Sequence, residues 1–338
     1  MAASPRPPAG SPPAPFRIIG LDQIRAALEG VDLIPGIERA FVAYSGGRAV
    51  VPPVGELLFP DIPADVHIKY GYVAGEPYYV IKVASGFYAN PEKGLPSSNG
   101  LMLVFDRATG ALVAILLDEG LLTDLRTGAA GAVAAKHLAP KRVTRIGIVG
   151  SGTQARHQLR MLGAVTPCRD VLAWGRHPDR LARYRDEMSA DGFAVETTSD
   201  VGDVMAACEL VVTATASHAP LVMRDQLRPG MHLTAVGADS PLKQELDPLV
   251  LRRADVVVAD SRSQCLERGE IAHAVRERCV RPDEVVELGA VIAGTAEGRT
   301  SDEDVTVVDL TGVAVQDIEI ARTVLESLGT GRAGGPRR

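Results

Sequence analysis

Gly150-Ser-Gly152-Thr153-Gln154-Ala155 has the G-x-G-x-x-A spacing of a turn that receives a dinucleotide. Gly150 permits the tight turn, Gly152 lets the backbone approach a diphosphate, and small Ala155 lets the next helix pack on the preceding strand. The start of that helix offers free N–H groups and a partial positive charge to an anion. A Gly-rich turn that binds nothing is the plain alternative. The apolar run 146–149 before it, and the helical spacing of Ala155, Leu159 and Leu162 behind it, favour the nucleotide site. Arg126 stands at the entrance of a helix made largely of small apolar residues, where a buried charge needs a partner. Lys82 lies mid-strand, facing opposite to Ile81 and Val83; an exposed lysine on a polar sheet face is its plain reading. Asp239 follows a strand of a β/α region, at the carboxyl end where active groups of such folds gather. It would equally suit a helix N-cap. Arg176 ends the second strand behind the glycine turn, where an NAD site usually carries an acid for the ribose 2′-hydroxyl. With Arg180 it would pair with a 2′-phosphate. The cofactor is therefore NADP(H) or NAD(H), with the balance toward NADP(H); a surface arginine is the alternative.

The elements that must position these groups fall into two patterns. From 21 to 117 come two helical stretches (21–28 and 34–44), then strands at 56–59, 67–73, 78–83, 100–106 and 112–117, separated by turn residues. This half reads as an antiparallel or mixed sheet with helices on one face. A helix over 121–139 ends at Pro140. From Arg145 onward strands alternate with helices: 145–150, 170–175, 210–215, 232–237 and 256–259, then 305–309 and a closing helix over 314–328. That is a Rossmann pattern. The fold class is α/β, a Rossmann dinucleotide-binding domain inserted in an α+β substrate and dimerisation domain. The expected division is 1–16 a disordered tail, 17–127 the substrate and dimerisation domain, 128–309 the Rossmann domain, 310–328 a return to the first domain, and 329–338 a loose tail.

Composition excludes several classes. Of 338 residues, 23% are charged and 46% hydrophobic, with a formal net charge of −6 and no basic stripe, so nucleic acid is not a partner. Four cysteines without C-x-x-C spacing read as reduced thiols of a cytoplasmic protein. No H-E-x-x-H or tight His/Cys cluster supports a metal. Residues 1–15 lack the apolar core of a secretory signal, and no uninterrupted apolar run is long enough to span a membrane.

Several motifs in order resemble the ornithine cyclodeaminase/mu-crystallin family. They are Lys82 in Val-Ile-Lys-Val-Ala-Ser-Gly, Asn90-Pro-Glu-Lys-Gly-Leu-Pro-Ser97, Leu122-Thr-Asp-Leu-Arg126-Thr127-Gly-Ala-Ala-Gly, the Gly150 turn, Val236-Gly-Ala-Asp239-Ser-Pro-Leu-Lys-Gln-Glu245 and Asp309-Leu-Thr-Gly312. The run over 82–135 looks like the ectoine-utilisation subgroup. The resemblance implies a homodimer and NAD(P)-dependent hydride transfer at the Cα of a small amino or imino acid. It implies carboxylate-binding roles for Arg126 and Arg48, a catalytic cation at Lys82, a substrate-bonding hydroxyl at Ser97 and acid–base work for Asp239. The implied cofactor set is Gly150, Gly152, Thr153, Gln154, Ala155, Arg176, Thr127 and Thr215. Ornithine-specific members carry a glutamate where this chain has Lys69, which would repel an ornithine side chain and suit a neutral or acidic one. An imine reductase or amino acid dehydrogenase is therefore expected. The alternatives are a cyclodeaminase releasing ammonia from a diamino acid, and a mu-crystallin-like NADP-dependent binding protein without turnover.

Overall fold

Period-two alternation builds the first half of the chain in the computed structural model, which describes residues 16–329. The tails expected at 1–16 and 329–338 fall almost wholly outside those residues. Strands Arg17–Gly20, Leu112–Leu117, Ser98–Asp106, Tyr78–Phe87, Ala64–Val73 and Ala49–Val50 lie side by side in that order, and Gly55–Phe59 also pairs with Ala64–Val73. Arg17–Gly20 runs parallel to its neighbour and the other pairs are antiparallel, so the sheet is mixed. Ile19, Leu116, Met102, Lys82 and Lys69 are successive cross-strand partners on its inner face. The first three are buried apolar side chains, and the two lysines continue their row just as deeply buried. Helix Ala314–Ser327 packs on strands Ala64–Val73 and Tyr78–Phe87, and against helices Ile34–Ser45 and Leu121–Leu138. Further along the same face the residues shrink. Ala84 pairs with His67 and Gly100, and Gly86 with Asp65 and Ser98, which leaves an open polar corner.

Helix Leu121–Leu138 leads out of this half. Its small residues are required by a crossing: a Cβ on Gly131 would sit 1.8 Å from Gln158 Oε1, and one on Gly128 would sit 2.9 Å from the His157 carbonyl oxygen. The Gly128 contact is with backbone, so only glycine there lets helix Thr153–Leu162 lie that close, whereas at Gly131 the Gln158 side chain would have to move. The boundary expected at 127/128 falls inside this unbroken helix.

The second sheet has eight strands in the order Ala194–Thr198, Asp170–Trp174, Ile146–Val149, Leu210–Thr213, His232–Ala235, Thr306–Asp309, Val256–Ala259 and Val286–Glu287. All its pairs are parallel. The first five follow the doubly wound 3-2-1-4-5 order, and the direction of winding reverses between Ile146–Val149 and Leu210–Thr213, where such sheets open a ligand crevice. The central strands are buried throughout, as parallel strands covered on both sides must be. No helix among the described residues is long and apolar enough to cross a membrane.

Candidate active site

The glycine turn sits at that crevice. Gly150 has φ +130°, and a Cβ there would meet the Ala214 carbonyl oxygen at 2.5 Å, so the turn and the neighbouring strand end leave no room for a side chain. Gly152 caps helix Thr153–Leu162 without any side-chain hydrogen bond, and its missing Cβ faces open space. Arg156 draws the carbonyls of the turn toward itself, donating from Nη1 to Ser151 O (2.6 Å) and Gly152 O (3.1 Å). The exposed Gly152–Thr153 start of the helix thus combines free amides with an open approach. These residues fit the diphosphate of a dinucleotide. Ala155 is buried against the sheet. Arg176 is exposed just beyond strand Asp170–Trp174, with no ion-pair partner among the described residues.

A cleft of about 230 Å³ begins beside this turn and ends at the polar corner of the mixed sheet. Gln154, Thr127 and Thr215 line it on the turn's side, Arg126 and Asp239 further in, and Asp65, His67, Tyr88 and Ser98 at the corner. The Thr127 hydroxyl donates to Thr123 O (2.8 Å). Thr215 donates to Glu245 from both N (2.6 Å) and Oγ1 (2.8 Å). Glu245 also accepts from Thr213 Oγ1 and Gly237 N, so one buried carboxylate fixes the ends of two adjacent strands.

Arg126 is buried, with its Nε 3.2 Å from Asp317 Oδ1 and its Nη1 donating to Gln316 Oε1 at 2.6 Å. Lys82 lies behind it, its Nζ 3.2 Å from Asp317 Oδ2. Burial pushes the Lys82 ammonium down to about 8; Asp317 opposes that shift and Arg126 adds to it. Both cations thus rest on one acid at the start of the closing helix. Lys69 sits one strand over and donates to Thr311 O and Gly312 O, each at 2.7 Å. Burial, with Lys82 and Arg126 nearby, brings its pKa to about 7.

Asp239 follows the end of strand His232–Ala235. Its Oδ1 accepts from Lys243 Nζ at 2.7 Å, and Lys243 also donates to Tyr88 Oη at 2.8 Å. Tyr88 in turn donates to Asp65 Oδ2 at 2.7 Å. Burial works to raise the Asp239 pKa, but Lys243, His67 and Lys69 outweigh it and hold the carboxyl well below the usual carboxylate range. Asp239 therefore remains an anion. Its side chain forms no N-cap hydrogen bond, so the capping alternative does not hold.

Three expected site residues lie elsewhere. Arg48 is exposed before the short strand Ala49–Val50 and lines a separate pocket with Arg39, Glu76, Glu319 and Arg322. Ser97 precedes strand Ser98–Asp106 and spends its carbonyl on Phe87 N (2.7 Å); pleating turns the adjacent Ser98 to the cleft instead. Lys69 is walled off by the Thr311–Gly312 peptide that it holds. Asp65, His67, Tyr88, Lys243 and Asp317 escaped sequence reasoning. The available signals were the alternation that puts His67 on the same strand face as Lys69, and the four-residue step from Asp239 to Lys243.

The model of the ornithine cyclodeaminase/mu-crystallin family matches residues 21–332. An uncharacterised cyclodeaminase, y4tK, of Sinorhizobium fredii is 41% identical over 86% of this chain and 89% of its own. An archaeal alanine dehydrogenase dimer with bound NAD superposes with a TM-score of 0.85 at 31% identity, covering 96% of this chain and 99% of that one. The Delta(1)-pyrroline-2-carboxylate reductase of Thermococcus litoralis, in complex with NADH and L-proline, gives 0.85 at 28% identity over 94% and 99%.

Proposed function

The chain belongs to the ornithine cyclodeaminase/mu-crystallin family, and on that premise we propose that it is an NAD(P)-dependent oxidoreductase acting at the Cα of a small amino acid or its imine. One observation carries the reading: a guanidinium, Arg126, and a fixed carboxylate, Asp239, line one cleft beside a turn built for a diphosphate. Arg126 takes the substrate α-carboxylate, with Lys82 behind it adding positive charge. Asp239 meets the substrate nitrogen with a permanent negative charge. The bound nicotinamide dinucleotide accepts or supplies the hydride. Gly150, Gly152, Thr153, Gln154 and Ala155 hold it, with Thr127 and Thr215 along its path into the cleft. The mixed-sheet half with helix Ala314–Ser327 forms the substrate-binding and dimerising part, and the parallel-sheet half the dinucleotide-binding part, of a homodimer, with helix Leu121–Leu138 running between them. Free thiols, three of the four buried, suit a cytoplasmic setting.

Imine reduction or amino acid dehydrogenation ranks ahead of ammonia-releasing cyclisation. Lys69, behind the Thr311–Gly312 wall, supplies a cation or a neutral amine, never an anion, where a diamino acid would need negative charge. The test is anaerobic oxidation of NADPH and NADH with cyclic imines, iminosuccinate and α-keto acids plus ammonia, with ammonia release from L-ornithine and L-lysine followed in parallel. Imine-dependent oxidation is expected. Ammonia release with catalytic cofactor would instead make the chain a cyclodeaminase, and binding without turnover a mu-crystallin-like binder. Arg176 favours NADP(H), although the two solved relatives hold NAD or NADH. Arg176→Asp should reverse the ratio of kcat/KM for NADPH over NADH; an unchanged ratio removes the 2′-phosphate assignment.

A further inference from the structure

Oxidising an ammonium-bearing carbon to an iminium releases one proton from nitrogen, and reducing the imine takes one up. Asp239 is ill suited to carry it, because Oδ1 is fixed by Lys243 and the carboxyl stays ionised. Beside its other oxygen stands His67, buried yet lining the cleft. His67 Nε2 lies 2.9 Å from Glu56 Oε1. Glu56 Oε1, which also faces Arg268, accepts, so Nε2 carries the hydrogen and the neutral ring presents a lone pair at Nδ1. Nδ1 faces Asp239 Oδ2 at 3.9 Å. That is too far for a direct hydrogen bond and leaves room for one polar atom bonded to both.

We infer that His67 Nδ1 is the proton carrier of the reaction, exchanging a proton with the substrate nitrogen that Asp239 Oδ2 holds. This rests on the function proposed above. In the oxidative direction an N–H bond of the ammonium breaks, its electron pair stays on nitrogen, and the proton joins Nδ1. The Cα–H bond then breaks with its pair leaving as hydride, and the nitrogen lone pair forms the C=N bond. The imidazolium is stabilised through Nε2–H by Glu56 and gives its proton to solvent; reduction reverses each step. Burial lowers the His67 pKa. Asp239, Asp65 on its own strand and Glu56 on strand Gly55–Phe59 work against burial, and Lys69 adds to it. Lys243 stands behind Asp239, and Arg268, 3.5 Å from Glu56, stands behind that acid.

Two readouts test this. Nitrogen NMR of the imidazoles without cofactor, assigned by the signal lost in His67→Gln, should show the Nε2–H tautomer titrating below the ordinary histidine range. Glu56→Gln should move that titration to lower pH, because it removes the carboxylate that favours the cation. In kinetics, wild-type amino acid oxidation should lose rate as pH falls through the same ionisation, and the limb should move to lower pH in Glu56→Gln. His67→Gln, which keeps a donor for Glu56, should lose the limb and about 10²–10³-fold in kcat, with NADH binding by fluorescence within twofold of wild type. An Nδ1–H tautomer, or a His67→Gln enzyme with the wild-type pH profile and near-normal kcat, overturns the inference and leaves the proposed function standing. A wild-type enzyme that transfers no hydride with any imine or amino acid overturns both.

Discussion

Arg126 has its charge fixed before any ligand arrives. Asp317 and Gln316 hold two of its nitrogens, so on the proposed function a substrate carboxylate would meet an oriented guanidinium rather than a mobile one. A carboxylate does not change during hydride transfer at the neighbouring carbon, so this contact is made equally in ground and transition states. Arg126→Met should therefore raise KM far more than it lowers kcat, with kcat/KM falling by about 10²-fold or more. Steady-state kinetics on the best imine decide it; a pure kcat effect would mean that Arg126 does not hold the carboxylate. Lys82 has a measurable signature in stability. Its folded pKa of about 8 lies below the ordinary 10.5. Below pH 8 the ammonium is charged in both folded and unfolded chains, and the native state bears the full burial penalty. Between 8 and 10.5 the unfolded chain binds the extra proton, so this lysine's contribution to stability improves as pH rises. The melting temperature of wild type relative to Lys82→Met should climb from about pH 7.5 to about pH 10. A flat or falling difference would contradict the depressed pKa.

The elements explain why those charges coexist. Helix Ala314–Ser327 places Asp317 in its first turn, where an acid suits the helix dipole, and delivers it onto the inner face of the mixed sheet. One helix start thereby sets a single acid between Lys82 from a strand and Arg126 from another helix. Asp317→Leu would leave two buried cations without their acid, a loss of about 3–5 kcal/mol. Calorimetry should then show a fall in Tm of about 4–7 °C, and a fall of only one or two degrees would mean that the pairings are dispensable. This partnership also marks the limit of what could be read from the sequence. The glycine turn, Lys82, Arg126 and Asp239 could be singled out because each sits in a local motif, and both halves of the fold were legible from their periods of alternation. Alternation at 78–83 told that Lys82 opposes Ile81 and Val83 but not which face is covered, because this strand begins with apolar residues on both faces, Tyr78 and Val80 on one and Tyr79 and Ile81 on the other. Asp317 lies 191 positions beyond Arg126, and no local pattern links the two. Arg48 and Ser97 stand outside the cleft lining for a different reason: one lies on an exposed strand approach and the other is one residue out of pleat from Ser98.

That second apolar face belongs to the scale of the whole molecule. Across the outer side of the mixed sheet, Ile18, Ile115, Leu103, Ile81 and Tyr70 are consecutive cross-strand partners spanning five strands. Tyr79 and Phe105 stack beside them with ring centroids 4.8 Å apart. Ile18 is 60% exposed, Leu117 42% and Tyr70 38%, so the row is open at both ends. A monomer rarely leaves so continuous an apolar band to water, whereas a second copy of the chain would cover it symmetrically. The active cleft opens on the opposite, helix-covered side of the sheet, so pairing through this band leaves it accessible and stiffens the strands that carry His67, Lys69 and Lys82. Light scattering should accordingly give twice the single-chain mass at micromolar concentration. Ile81→Lys, at the centre of the row, should reduce it to one chain. Because Ile81 and Lys82 are adjacent on the same strand, the separated subunit should also lose kcat while retaining NADH binding at the distant glycine turn. A wild-type protein of single-chain mass would remove the dimer, and an Ile81→Lys protein that stays paired would place the interface elsewhere.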